Sequence, residues 1–405
     1  MNYSLLLQTI MLRLGRNKLK TCLMGLGIVV SVLATVLVQT AGSGFRGAFN
    51  SFIDKAYPAD TVWLVSGTGL MAGGARNGLR IADIETIQGS IAEITTFDPI
   101  VQGGVRDLKH GSSNTRVPVT GVSEKAVEVR RRGVSQGEFL SEEDVRTRAH
   151  VALIGATTAH KLFGAESPLG AQLFIDNVAF TIKGVLDAVG VDPHGGDQDD
   201  MLQLPYTTVM EQMTRLEVVS GVTFTVKDRR RVEAVAAEVG KIMRARHHIG
   251  AGQEDDFSII TPVLMQGLVE RSFSIFRIFL PLISGTAFLI SGLVVLAIML
   301  IAIKQRTPEI GLRKALGARQ FDLQMEILME VTIISLIAAL VGLIIAQIAI
   351  IALAPVLAGK FGVTGLRTGV PTLFAGMLAA IATGVLGALL PARRAARLNP
   401  VIALK

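Results

Sequence analysis

Two clusters of side chains have the residue types that bind metal ions. Three carboxylates, Asp197, Asp199 and Asp200, stand close together in a glycine-containing segment, and two imidazoles, His247 and His248, are adjacent. Carboxylate oxygens suit calcium, but the spacing of these acids does not follow the EF-hand loop pattern. Adjacent residues of a helix point to different faces, so the two imidazoles are not expected to share an ion. We therefore predict no metal site in either cluster.

The sequence contains none of the short motifs that mark several common classes of enzyme. It lacks the H-E-x-x-H motif of zinc hydrolases, the G-x-S-x-G motif of serine hydrolases and the G-x-x-x-x-G-K-[ST] motif of P-loop ATPases. Its single cysteine, Cys22, cannot form a disulfide within the chain, and we expect this small side chain to be buried. We therefore predict no catalytic residues and no cofactor within this chain.

One charged segment, residues 304–330, has the pattern of a short helix. Thr307 is suited to the N-cap, Pro308 to the first helical position, and Glu309 complements the positive end of a helix dipole. Gly317 is suited to the end of the helix. The pattern predicts a helix that begins after Thr307 and ends near Gly317.

The predicted helix carries an apolar stripe. Leu312, Ala315 and Leu316 follow each other at i, i+3 and i+4, and the cation Arg319 follows at i+7. The spacing alone leaves two interpretations open, a helix that lies on the membrane surface and a helix that docks onto a partner protein.

Four uncharged stretches are long enough to cross the hydrocarbon layer of a bilayer, which takes about 20 helical residues. They are residues 21–41, 278–303, 331–358 and 370–392. The first follows basic residues, as a signal peptide would, but its 21 uncharged residues exceed the usual length of a signal-peptide core. We therefore expect four transmembrane helices, one before a large polar segment and three after it.

The excess of basic residues is concentrated beside these stretches. The formal net charge is +7, and residues 1–20 and 393–405 each carry four Lys or Arg residues and no acid. The large segment 42–277 carries 25 basic and 29 acidic residues. By the positive-inside rule, both termini and residues 304–330 are expected in the cytoplasm and the large segment outside. Nucleic-acid binding is not expected, because the basic excess belongs to the membrane flanks.

The four stretches contain small residues in place of ionisable ones. The absence of Asp, Glu, Lys, Arg and His from them disfavours a transporter driven by an ion gradient. Small residues at four-residue spacing allow helices to approach closely. The positions that we single out for helix packing or a dimer interface are Gly27, Ser31, Gly376, Ala380, Gly384 and Ala388. Packing within one chain and pairing between two chains both remain open.

The large segment 42–277 predicts a domain of α+β structure. Two strand-helix-strand patterns predict a split β-α-β layer, with halves at about 43–100 and 218–261. Residues 101–217 between them predict an inserted β-rich subdomain. Residues 262–277 predict a stalk helix that continues into the second membrane span.

Several segments resemble the permeases of FtsX/MacB-type ABC transporters. The run from Lys304 to Glu330, which contains R-T-P-E-I-G-L-R-K-A-L-G-A-R at residues 306–319, resembles the signature of this family, and residues 390–404 resemble its C-terminal motif. In the large segment, residues 151–155 and 180–186 resemble the MacB periplasmic core. The resemblance covers nearly the whole chain and agrees with one span before the large domain and three after it.

The resemblance implies a multi-pass protein of the bacterial inner membrane with a large periplasmic α+β domain. It implies that two permease chains pair, here as a homodimer, and that each contacts an ABC ATPase through the helix after the second span. On this basis the ATPase-coupling residues are Thr307, Glu309, Ile310, Gly311, Arg313, Lys314, Ala315, Leu316, Gly317 and Ala318. MacB itself carries a fused ATPase, whereas the P-loop motif of an ATPase does not occur in these 405 residues. We therefore expect two copies of a separate ATPase subunit, which bind the ATP and Mg²⁺.

The function that the resemblance implies is mechanotransmission. ATP hydrolysis in the cytoplasm would change the conformation of the periplasmic domain and drive the export of a substrate. The MacB-like core favours a tripartite pump with a periplasmic adaptor protein and an outer-membrane duct. Extraction of lipoproteins, and activation of a cell-wall hydrolase without any cargo, remain as alternatives. Residues 1–20, expected to be amphipathic, and the tail at 393–405 would lie at the cytoplasmic face.

Overall fold

The computed structural model of the chain describes residues 18–67, 78–250, 252–363 and 365–398. Most of the predicted amphipathic segment at 1–20 and the end of the tail at 393–405 lie outside the described residues. The chain divides into two compact units. The helical unit comprises residues 1–47, 272–358 and 363–405, and the sheet unit comprises residues 48–271 and 359–362.

Eleven α-helices occur in the described part of the chain. They are α1 (Lys18–Ala56), α2 (Ile81–Ser90), α3 (Ala126–Arg130), α4 (Glu142–Arg146), α5 (Ala156–Phe163), α6 (Tyr206–Val209), α7 (Val232–Arg246), α8 (Pro262–Gln305), α9 (Thr307–Ala315), α10 (Gln320–Phe361) and α11 (Val370–Ala396). A π-turn at Met210–Thr214 follows α6, and a 3₁₀ turn at Arg229–Arg231 precedes α7.

Ten strands occur in the same residues. They are β1 (Thr61–Ser66), β2 (Ile94–His110), β3 (Ser113–Val122), β4 (Val134–Gly137), β5 (Val151–Ile154), β6 (Gln172–Ile175), β7 (Val178–Leu186), β8 (Leu202–Pro205), β9 (Gly221–Val226) and β10 (Phe257–Ile260).

Four of the helices, α1, α8, α10 and α11, are long and apolar enough to cross a membrane. The four uncharged stretches lie within them, and each helix continues beyond its stretch. The continuous helix predicted from Pro262 is present, since α8 runs without a break from Pro262 to Gln305. The expectation for Cys22 was wrong, because this side chain is exposed on α1.

One face of α1 lies at the centre of the helical unit. Met24, Ile28, Val32 and Val36 recur at every fourth position and are at most 1% exposed. They belong to one apolar cluster with residues of α8, α10 and α11. Four-residue spacing places side chains along one stripe of a helix, so a single stripe of α1 contributes to a core shared by all four long helices.

The first half of the sheet unit has a split β-α-β topology. The strands lie in the order β10-β1-β9-β2, and each neighbouring pair is antiparallel. The helices α2 and α7 connect β1 to β2 and β9 to β10. These are two interleaved β-α-β units of the ferredoxin-like kind, as the alternating strands and the apolar faces of the two helices predicted.

The second half of the sheet continues from the same long strand β2. The order continues as β2-β3-β8-β5-β7-β4, and β6 pairs with β2 and β7. The pairs β3-β8 and β5-β7 are parallel and the other pairs are antiparallel. The register shifts between Gln102 and Gly104, where Gly104 has a φ of +77°. A glycine at a positive φ is typical of a β-bulge, which bends a strand and increases its twist.

Both halves share one hydrophobic core. Ile84 and Ile87 of α2 and Val239 of α7 are fully buried, in one cluster with Phe224 of β9 and Phe180 of β7. Since each buried side chain of this size contributes about 1.5–3 kcal/mol, the helices are held on the sheet by their apolar faces.

Candidate functional site

The short helix α9 begins one residue earlier than the sequence pattern indicated. Arg306 occupies the N-cap, Thr307 is already helical, and the prediction of Thr307 as the N-cap was wrong. Its hydroxyl donates a hydrogen bond to the carbonyl oxygen of Ile303 at 3.1 Å. Ile303 lies near the end of α8, four residues before Thr307, so this hydrogen bond spans the one-residue junction between α8 and α9.

The end of α9 has the geometry of a Schellman motif. Gly317 has a φ of +97° and donates its N–H to the carbonyl of Lys314 at 3.1 Å. The N–H of Ala318 donates to the carbonyl of Arg313 at 3.1 Å. A residue at this position must adopt the left-handed region, which favours glycine. The predicted helix end at Gly317 is therefore confirmed.

One face of α9 is buried against the ends of α10 and α11. Ile310 is 8% exposed and packs in a cluster with Leu323 of α10 and Ala395 of α11. Gly311 beside it is also buried. On α9, the Nζ of Lys314 donates to the carbonyl oxygen of Leu398 at 2.7 Å. The short helix is thus attached to both of the long helices that follow it in the chain.

Ion pairs reinforce the attachment to α10. Arg313 lies 2.9 Å from Glu309 on its own helix and 3.2 Å from Glu326 of α10. Arg306, between α8 and α9, lies 3.1 Å from Glu330 of α10, whose side chain is only 6% exposed. Charge-assisted bonds of this kind are stronger than neutral ones and restrict geometry.

A small cavity of about 30 Å³ lies among these charges. Its walls include Lys20 of α1 together with Arg306 and Glu330. The Nζ of Lys20 is buried and has no hydrogen-bond partner among the described residues. A cavity of this size has room for one or two water molecules, and a buried ammonium requires an acceptor. Through Lys20, α1 therefore borders the same group of charges as Arg306 and Glu330.

The opposite face of α9 has an exposed apolar stripe. Leu312 is 54% exposed and Leu316 is 81% exposed. Of the ten predicted coupling residues, Ile310 and Gly311 are buried, Thr307, Arg313, Lys314 and Ala318 are half-buried, and Glu309, Ala315, Leu316 and Gly317 are exposed. The structure thus divides the predicted site into an inner set that holds the helix and an outer set that is available for contact.

The small residues of the spans lie at contacts between helices of the same chain. The hydroxyl of Ser31 donates to the carbonyl of Ala287 of α8 at 2.8 Å, and a Cβ built on Gly27 would lie 3.5 Å from the Oγ of Ser291. A Cβ on Gly376 would lie 3.8 Å from Val36 of α1, and one on Gly384 would clash with Ser335 of α10.

Two further small residues of α11, Ala380 and Ala388, are fully buried in the cluster of the helical unit. All six positions therefore have close neighbours within one chain. A role for them in a dimer interface stays a prediction.

The side chains that resembled metal ligands make structural contacts. Asp199 accepts hydrogen bonds from the backbone N–H groups of Val189 and Gly190, and it pairs with Arg132 at 2.8 Å. His247 lies 2.8 Å from Asp256. No group of three or more His, Cys, Asp or Glu residues in the described ranges is arranged to hold a metal ion.

Sequence reasoning did not single out Glu326 or Lys20 as partners of α9, and it included Glu330 only as the last residue of the family signature. The signal that could have found the two acids is their spacing. They lie four residues apart in the first turns of α10, so they share the face that points toward the preceding helix. Lys20 carries no local signal, because it reaches the cluster only through the packing of α1.

The structure therefore defines a class of protein, a membrane-spanning helical bundle with a short amphipathic helix at one end and a large α+β domain inserted after the first span. Residues 21–242 match the model of the MacB-like periplasmic core domain, and residues 281–400 match that of the FtsX-like permease C-terminal region. The chain belongs to the MacB-like family of ABC transporter permeases, with an extracytoplasmic core domain and an FtsX-like permease domain.

Two individual relatives support this family assignment. The chain is 30% identical over 393 residues to a macrolide export ATP-binding/permease protein MacB from Hyphomonas neptunium, which covers 96% of this chain and 59% of the relative. It is 28% identical over 391 residues to a pyoverdine export ATP-binding/permease protein PvdT from Pseudomonas entomophila, with 96% and 57% covered. The chain thus spans somewhat less than 60% of the length of these curated relatives.

A solved structure resembles part of the chain. The periplasmic region of MacB from Actinobacillus actinomycetemcomitans aligns with 20% sequence identity and a TM-score of 0.46. The alignment covers 54% of this chain and 95% of that structure.

Proposed function

We propose that this chain is the non-catalytic permease subunit of an ABC export complex that works by mechanotransmission. In this proposal α9 is the coupling helix, and an ABC ATPase outside these 405 residues binds it and supplies the energy of ATP hydrolysis. The complex contains two permease chains and two ATPases. The permease chain holds neither ATP nor Mg²⁺ itself.

The observation that carries the proposal is the division of α9 into two faces. Its inner face is attached to α10 and α11 by Ile310, by Lys314 and by the pair of Arg313 with Glu326. Its outer face exposes Leu312 and Leu316. A helix that is bonded to the long helices and that exposes apolar side chains suits the transfer of a displacement from a docked partner.

The distribution of charge supports the orientation of the chain. Both termini carry the basic excess, and residues 304–330 carry five basic and four acidic residues, so the positive-inside rule favours a cytoplasmic location for α9 and for the ATPase. We accordingly place the sheet unit in the periplasm and the helical unit in the inner membrane of the bacterium. A periplasmic adaptor and an outer-membrane duct are the partners that suit a MacB-like export pump.

The absence of ionisable residues from the four uncharged stretches supports a lever in preference to a pore. A polar substrate path through the hydrocarbon layer requires charged or strongly polar side chains. In the proposed cycle, substrate is therefore moved from the periplasmic side, and the long helices transmit motion.

The test is reconstitution of the chain with its ATPase, followed by substitution of the outer face. Leu316→Glu is expected to abolish binding of the ATPase and to reduce ATP-dependent export at least about tenfold, because it places a charge in an apolar contact. Leu216→Glu in the sheet unit, at a leucine that is also exposed, is the matched control and should retain both activities. Full ATPase binding by Leu316→Glu would contradict the assignment of α9.

A further inference from the structure

The sheet unit contains a large cavity that the coupling of α9 to an ATPase does not use. It has a volume of about 590 Å³ and lies where the C-terminal end of α1, the strand β1 and the segment after α3 meet. A cavity of this size is in the range that binds drug-sized molecules. All of its lining residues belong to the sheet unit.

The cavity has an apolar and partly aromatic lining. Phe52, Trp63 and Phe139 contribute aromatic rings, and Met201 and Val189 contribute aliphatic or thioether groups. Flat rings and a flexible thioether side chain adapt to a hydrophobic body of varied shape. The walls therefore suit the apolar part of an amphipathic molecule.

Two hydrogen-bond donors at this cavity lack an acceptor in the described part of the chain. The Nε1 of Trp63 and the Nη2 of Arg130 are both buried and make no hydrogen bond. The Nε of Arg130 is already committed to Asp98 at 2.7 Å. Both nitrogen atoms are buried beneath the wall, so a ligand in the cavity does not contact them in this structure.

The charges at the wall have an excess of cations. Four basic residues, Lys55, Arg130, Arg131 and Arg132, line the cavity, against two acids, Asp54 and Asp187. The carboxylates that pair with the three arginines, at Asp98, Asp60 and Asp199, are not lining residues. Each of the three arginines is thus already neutralised by a carboxylate, and Lys55 is the lining cation that makes no ion pair in the described part of the chain. The ammonium group of Lys55, at the exposed end of α1, is available to an anion.

We propose that this cavity binds a small organic anion with an apolar, ring-containing body and a carboxylate or sulfonate group. The rings occupy the space between Phe52, Trp63 and Phe139. The anionic group lies near Lys55 and is attracted by its ammonium group. This binding does not depend on ATP hydrolysis, so it can be measured on the purified chain without any partner.

The sequence provides its own reporter, because Trp63 is its single tryptophan. The probe is anilinonaphthalenesulfonate, an aromatic sulfonate that accepts energy from excited tryptophan, added to the full chain in maltoside micelles. We expect a saturable loss of Trp63 emission with a matching gain of probe emission. A loss that rises linearly with probe concentration, as partition into micelles would give, would overturn the proposal.

Location is tested with a substitution that fills the cavity. Ala188 lines the cavity and is exposed, so Ala188→Phe is expected to weaken probe binding about tenfold without disturbing the core. Ala245→Phe, at an exposed position of α7 away from the cavity, is the matched control and should bind as the parent does. Equal binding by both variants would show that the probe does not occupy this cavity.

The charge of the ligand is tested with a second pair of variants. Lys55→Glu is expected to weaken binding of the sulfonate about fivefold, and Lys241→Glu, which reverses an exposed charge on α7, should not. The uncharged analogue phenylnaphthylamine should bind more weakly and respond to neither change. If the neutral analogue binds as tightly as the sulfonate, or if Lys55→Glu has no effect, the anionic ligand class is wrong.

Discussion

The guanidinium of Arg306 lies 3.1 Å from the carboxylate of Glu330, and the two side chains are 21% and 6% exposed. Arg306 is the N-cap of α9, whereas Glu330 lies in the first part of α10. The bond joins the junction of α8 and α9 to the next long helix at a place that is largely closed to water. Removal of one partner leaves the other in a largely buried cluster whose remaining charges, Lys20 and Glu326 among them, no longer balance.

We predict that Arg306→Ala or Glu330→Ala alone lowers the free energy of unfolding by about 3 kcal/mol. The double substitution Arg306→Met with Glu330→Leu should lose much less, because it removes both charges together. Denaturant unfolding of the full chain in micelles, arranged as a double-mutant cycle, measures the coupling. Strictly additive losses would show that the pair does not interact. Arg319→Ala, at an exposed cation, should leave stability unchanged.

Substitution of Glu309 tests the outer face of α9 by charge. Glu309 pairs with Arg313 at 2.9 Å and lies in the first turn of α9. Glu309→Lys should lower the free energy of unfolding by at most about 1 kcal/mol. Glu309 is partly exposed to solvent, which weakens both its ion pair with Arg313 and its interaction with the helix dipole. The same change should uncouple ATP hydrolysis from export, because it inverts a charge on the face of α9 that we propose to contact the ATPase.

The measurement for Glu309→Lys compares ATPase activity with transport in reconstituted vesicles. Glu166→Lys, at an exposed acid of the sheet unit, is the control and should leave both activities intact. Unchanged transport by Glu309→Lys would count against a role of this residue in coupling.

Two glycines of α11 should respond differently to the same substitution. A Cβ at Gly384 would clash with Ser335 of α10, whereas a Cβ at Gly376 would lie 3.8 Å from Val36, an ordinary contact. Gly384→Ala should therefore destabilise the bundle by about 1–3 kcal/mol through overpacking. Gly376→Ala should be neutral or stabilising by up to about 1 kcal/mol, since alanine favours the helix. Thermal unfolding in micelles distinguishes them, and equal midpoints would refute the packing described for Gly384.

The acid stability of the sheet unit should depend on Asp83. Burial raises the pKa of Asp83, but hydrogen bonds from Arg246 and from the N–H of Arg80, together with attraction to Arg246 and His247, outweigh it and leave the pKa below its ordinary value of 3.8. A carboxyl group with a lowered pKa stabilises the folded state above its ordinary pKa, and that stabilisation is lost as pH falls through the lowered value.

Trp63 emission during denaturant unfolding measures this loss. Stability of the parent should fall as pH decreases below about 4, and Asp83→Asn should be less stable near neutral pH and show a weaker pH dependence. Glu166→Gln should follow the parent curve. A pH dependence of Asp83→Asn as steep as that of the parent would exclude this carboxylate as its source.

The local patterns of the sequence predicted the elements that have strong periodicity. The apolar spacing at Val235, Val239 and Met243 predicted the buried face of α7, and the uncharged stretches predicted the positions of the long helices. Short strands with few alternating residues were missed. For example, β8, residues 202–205, is buried on every side and pairs in parallel with β3, which lies about 80 residues earlier in the chain.

The sequence predicted which residues form the candidate site, but it did not predict which of them are buried. The motif identified Ile310 and Leu316 together, yet one is 8% exposed and the other 81%. Burial of Ile310 depends on Leu323 and Ala395, which come from two other helices, so no pattern within α9 could separate the two faces. The cavity beside Trp63 was also outside the reach of sequence reasoning, since its walls come from segments that are remote in the chain.

The long strand β2 has a mechanical consequence. Its first residues pair with β9 and its later residues with β3 and β6, so one unbroken peptide belongs to both halves of the sheet. Two lobes joined only by flexible linkers could swing independently, but lobes that share a strand cannot separate without breaking its ladder. A displacement of one half of the sheet unit is therefore passed to the other half through the backbone of β2 and through the core that the two halves share.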